Sequence, residues 1–64
     1  MYGLKKEVVL DINKTKASKD IGITRAYLTN VVNGKCSCSK VVAYCITKYI
    51  NNDAEIEDYF ERVN

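Results

Sequence analysis

Apolar and small residues recur at three- and four-residue intervals through three stretches of the chain. They fall at Ala17, Ile21, Leu28 and Val31, then at Val42, Cys45, Ile46, Tyr49 and Ile50, and again at Ile56, Tyr59, Phe60 and Val63. This is helical spacing. The stretch 16–35 is the most distinctive, because Gly22 divides its apolar groups between Ile21 and Ile23. Gly in a helix interior is roughly 1 kcal/mol worse than Ala. Just past a helix end it adopts the left-handed backbone without steric cost. The pattern therefore predicts a helix over Thr15–Ile21, with Thr15 as its candidate cap, then a tight turn. A second helix follows over Thr24–Asn33, capped by the Thr24 hydroxyl and stopped at Asn33-Gly34.

The flanking segments complete the pattern. Residues Leu4–Asn13 read as a first helix with Leu4, Val8, Val9 and Ile12 inward. Leu10 lies opposite that stripe, and the β-branched run from Glu7 to Ile12 competes as a short strand. Ser37 or Ser39 can cap a helix running to Ile50. Asn51-Asn52-Asp53 reads as a turn, and Asn52 with Glu55 resembles a capping box. The acids Asp53, Glu55 and Glu57 suit the positive end of a fifth helix. The expected architecture is all-α: one domain over residues 1–64, built as a bundle of about five short helices.

The helix Thr24–Asn33 has two unlike sides. Tyr27, Leu28, Val31 and Val32 share one. Ala26, Thr29, Asn30 and Asn33 share the other, with Arg25 at its edge, and no acidic or large apolar residue interrupts it. Such a face suits a DNA major groove, where Asn pairs with adenine, Arg with guanine, and Thr or Ala methyls meet thymine. Arg25, Ala26, Thr29, Asn30 and Asn33 are thus the candidate base-reading residues. Lys14, Lys16 and Lys35 lie at the ends of the helix pair, where phosphates would pass. With the Thr15, Thr24 and Tyr27 hydroxyls they form the candidate phosphate set. Lys5, Lys6 and Lys48 read as solubilising.

The run Ser18, Ile21, Gly22, Ile23, Thr24, Arg25, Tyr27, Leu28, Val31, Gly34 and Lys35 resembles the helix-turn-helix of the phage repressor and Cro family. This family is also described as the xenobiotic-response-element-like DNA-binding domains. Ser18 stands where the family usually has Ala. The resemblance implies a lambda-repressor-like layout of five helices and sequence-specific regulation of transcription. It further implies a homodimer on a palindromic operator with half-sites about one helical turn apart.

Composition narrows the alternatives. At 64 residues and 47% hydrophobic content the chain is a single domain near the lower size limit, where dimerisation would help. A net charge of +2 conceals an asymmetry: residues 1–52 carry nine basic and three acidic side chains, residues 53–64 one and five. A basic body favours a polyanion through a salt-sensitive attraction. There is no membrane-length apolar run and no signal-peptide pattern, so a cytoplasmic setting is expected.

The three cysteines, without any His, leave a structural zinc one ligand short, and the Cys36-Ser37-Cys38 spacing is not that of common zinc sites. Cys45 reads as a small hydrophobe. An odd cysteine count in a cytoplasmic protein argues against a disulfide framework. No metal, cofactor or small-molecule ligand is therefore expected. The lack of His, of a nucleophile motif and of a phosphate-binding glycine loop reads as a non-enzyme. Two other functions compete with repression. One is an excisionase-like protein that bends DNA. The other is a protein-binding inhibitor or antitoxin working through the acidic C-terminal helix, with Ile56, Tyr59, Phe60 and Val63 as its partner or dimer surface.

Overall fold

Side-chain caps decide where the helices begin. In the computed structural model, which describes residues 1–63, the Asn13 side chain accepts a hydrogen bond from Lys16 N at 3.1 Å, starting α1 (Lys14–Ile21). Asn13, not Thr15, is therefore the cap. Thr24 Oγ1 accepts from Tyr27 N at 3.1 Å and starts α2 (Arg25–Val32). Ser39 Oγ accepts from Val42 N at 3.3 Å and starts α3 (Lys40–Ile50). Each bond satisfies one of the amide donors that a helix start leaves without an intrahelical partner.

Two glycines end the first pair of helices. Gly22 takes φ 92°, and the amides of Gly22 and Ile23 both donate to the Ser18 carbonyl, at 2.8 and 3.0 Å. Gly34 takes φ 75°; its amide donates to Val31 O at 3.1 Å while Lys35 N donates to Asn30 O at 2.8 Å. The second pair of bonds is a Schellman motif, which closes carbonyls the helix end would leave open.

The core gathers one small set of side chains: Ala17, Leu28, Val31, Ala43, Ile46, Ile56 and Phe60. Ser18, buried where α1 and α2 pack, donates its hydroxyl to Thr15 O at 3.0 Å. Thr47, fully buried on α3, donates to Ala43 O at 2.8 Å. Among the described residues no buried side-chain polar atom lacks a partner.

The ends of the chain correct the all-α expectation. The described residues form four helices and a two-stranded antiparallel sheet, β1 (Tyr2–Leu4) on β2 (Phe60–Arg62), with Tyr2 facing Arg62 and Leu4 facing Phe60. Tyr2 also exchanges two backbone hydrogen bonds of 2.7 Å with Cys38, so β1 is held on both sides. The expected helix over residues 4–13 does not form. Beyond a turn closed by Val8 N on Lys5 O at 3.1 Å, the segment has no regular structure. Leu10 and Ile12 pack against the core, whereas Val9, expected inward, is 89% exposed. Burial two residues apart follows the period of extended chain, not of a helix.

The expected fifth helix is likewise cut to one turn, α4 (Ile56–Tyr59). Asp58 Oδ2 accepts from Glu55 N at 2.8 Å, and the Asn51 side chain accepts from Asp53 N at 3.0 Å, so the Asn52–Glu55 box is replaced. At Phe60 the backbone turns extended (φ −120°, ψ 156°), and Lys5 N on Tyr59 O (3.0 Å) with Val63 N on Met1 O (2.9 Å) brackets the sheet. Strand pairing with the other end of the chain overrides the helical spacing of Ile56, Tyr59, Phe60 and Val63.

Lys48 is not merely solubilising. Its ammonium donates to Ala54 O at 2.7 Å and Asn52 O at 3.3 Å, and sits 5.5 Å from the Tyr44 ring centroid, tying the α3–α4 connection to α3. No helix among the described residues is long and apolar enough to cross a membrane.

Candidate nucleic-acid interface

Burial divides α2 into the two sides its sequence contains. Leu28, Val31 and Val32 are buried, while Arg25, Ala26, Asn30 and Asn33 are exposed and Thr29 is half-buried. The exposed side therefore presents a guanidinium, a methyl and two side-chain amides together. No carboxylate stands on it. Thr29 adds a hydroxyl and a methyl at the margin.

The remaining candidates differ in freedom. Thr15 and Lys35 are exposed and Lys14 is half-buried. Lys16 is largely exposed but bridges to Asp20 one turn on, 3.3 Å between Nζ and Oδ2. An exposed pair of this kind contributes a few tenths of a kcal/mol at most, so a phosphate can displace it at little cost. Thr24 Oγ1 is engaged as the α2 cap, which leaves its hydroxyl proton free to donate elsewhere.

Tyr27 is half-buried against the core. Loss of water around its hydroxyl, followed by the neighbouring Cys38 and Cys36 thiols, raises its pKa above the ordinary phenol value. It is therefore a neutral donor at physiological pH, the form that can bond a phosphate oxygen.

The C-terminal set does not form one surface. Ile56 (6% exposed) and Phe60 (1% exposed) belong to the protein's own core. Only Tyr59 and Val63 remain half-exposed, too few to make the expected partner or dimer surface. The acids of this segment stay exposed: Asp53, Glu55, Glu57, Asp58 and Glu61.

Cys38 is buried beside β1, and Cys36 and Cys45 are half-buried; all three are free thiols. Burial first, and Cys36 second, push the Cys38 pKa up, with a smaller opposing pull from the N-terminal amine. A thiol so protonated is a poor nucleophile and a poor metal ligand. Among the described residues no three His, Cys, Asp or Glu side chains are grouped to hold a metal ion. Sequence reasoning missed Asn13, whose signal is an Asx residue immediately before the first helical position. Compared with family models, curated protein sequences and solved structures, the chain returns no significant match.

Proposed function

We propose that this protein is a sequence-specific DNA-binding regulator of transcription that lays α2 in the major groove. The observation that carries the reading is the exposed side of α2, where Arg25, Ala26, Asn30 and Asn33 face solvent with no carboxylate among them. Three of these have side chains that match base edges by their hydrogen-bond pattern, and Ala26 offers a methyl to thymine. The glycine turn at Gly22 supports it, because α1 and α2 are joined and capped as a helix-turn-helix requires. The resemblance of residues 18–35 to the phage repressor and Cro family agrees with it.

In this reading Arg25, Thr29, Asn30 and Asn33 read bases, and Ala26 meets a thymine methyl. Lys14, Thr15, Lys16, Thr24, Tyr27 and Lys35 hold phosphates and set the register. Two copies bind a palindromic site. The protein acts without a cofactor or catalytic step. Arg25→Ala tests the assignment: specific affinity falls by about 1–3 kcal/mol while binding to unrelated duplex is nearly unchanged. Equal loss on both duplexes contradicts it.

A further inference from the structure

Resting on that DNA reading, we infer a second contact with the sugar-phosphate backbone, made by the turn that follows β1. An open groove runs between this segment and the end of α2, lined by Lys5, Lys6 and Val9 on one side and by Val32, Asn33 and Gly34 on the other. The groove thus begins where the base-reading face ends. A strand leaving the major groove past Asn33 enters it directly.

Charge identifies the occupant. Lys5 and Lys6 pair with no carboxylate among the described residues, where the ion pair formed is Lys16–Asp20. The one acid lining the groove, Glu61, leaves a net positive rim. The backbone of the turn is also held in place. Lys5 N donates to Tyr59 O at 3.0 Å and Val8 N closes the turn on Lys5 O at 3.1 Å. The backbone carrying both ammoniums is therefore ordered before DNA arrives, and binding forfeits less conformational entropy. Val9, 89% exposed on the same rim, offers an apolar surface to deoxyribose. A small-molecule pocket would instead bury polar groups that converge on a ligand, and no buried side-chain polar atom of the described residues is without a partner.

The test is the salt dependence of DNA affinity, read by fluorescence anisotropy for the wild type, Lys5→Ala/Lys6→Ala, Lys19→Ala and Arg25→Ala. Each phosphate neutralised contributes about 0.9 to the slope of log K against log salt. The double variant should lose about 0.9 or more of that slope per protomer, with hydroxyl-radical protection lost symmetrically in the two half-sites. Lys19→Ala, exposed at the far end of α1, should lose almost none. If the double variant fails to keep the wild-type circular dichroism, Lys6→Ala alone carries the same expectation. An unchanged slope while Arg25→Ala still loses sequence preference overturns this contact and leaves the groove-reading helix standing. Absence of any wild-type DNA binding overturns both.

Discussion

Phe60→Ala should be among the most damaging single changes in this protein. Phe60 is the largest fully buried side chain, 1% exposed, at the point where α4 gives way to β2. Removing a buried phenyl ring costs about 3–5 kcal/mol, part of it lost transfer energy and part the cavity left behind. At about 0.05–0.15 kcal/mol per residue, the whole domain is stable by only about 3–10 kcal/mol. In a domain of this size each kcal/mol moves Tm by about 4–8 °C, so the melt should fall by at least about 12 °C. Urea and thermal unfolding followed by far-UV circular dichroism measure both quantities. Val9→Ala is the matched control: 89% exposed, it should change stability by no more than about 0.5 kcal/mol. Helical periodicity places Val9 inward, and the competing protein-binding reading places Phe60 on a partner surface. A loss below about 1 kcal/mol in Phe60→Ala, or a loss above about 1 kcal/mol in Val9→Ala, would refute the packing of the chain ends described above.

Gly22→Ala forces a Cβ into a left-handed backbone at φ 92° and should cost about 1–2 kcal/mol, read from the urea midpoint. Lys48→Met removes two hydrogen bonds to backbone carbonyls; allowing for partial solvent exposure, about 1 kcal/mol should be lost, and a neutral result would return Lys48 to the solubilising class. Cys38 and Tyr27 both have pKa values raised in the folded protein, so the unfolded chain releases those protons first as pH rises. The associated stability is therefore complete below pH 9.0, the ordinary thiol value here, and declines as pH climbs through that value and the phenol value of 10.0. Cys38→Ala should flatten the first part of that decline in unfolding curves taken across alkaline pH. Thiol titration of the native protein should label Cys38 last, because it alone of the three is buried.

What is legible in the sequence is local. Gly22 and Gly34 mark two helix ends because only a residue without Cβ takes those backbone angles easily, and Thr24 and Ser39 mark two starts by the oxygen they offer an amide. Leu28, Val31 and Val32 alternate with Ala26, Asn30 and Asn33 at a helical period, so residue spacing alone separates the two faces of α2. What is not legible depends on distant pairing. Nothing near Tyr2–Leu4 or Phe60–Arg62 indicates that these segments form a sheet with each other across nearly the whole chain. The spacing of Ile56, Tyr59, Phe60 and Val63 is compatible with a longer helix, and only the presence of β1 beside it draws the chain out after Tyr59. Leu10, which contradicts a helical stripe with Ile12, is the sign that residues 4–13 are not a helix. The candidate phosphate set is confined to the helix pair, so it passes over Lys5 and Lys6; only the fold brings them beside Asn33.

The proposed reading of DNA sequence by α2 is directly testable. The most direct measurement selects a preferred duplex from a random pool, then compares it with a scrambled duplex by fluorescence anisotropy over a series of salt concentrations, using wild type and Arg25→Ala. A preference for the selected duplex that persists as salt rises, and is lost in an Arg25→Ala protein of unchanged circular dichroism, is the predicted result. Failure to enrich any sequence, with weak binding to both duplexes that salt abolishes equally in wild type and variant, would contradict the account.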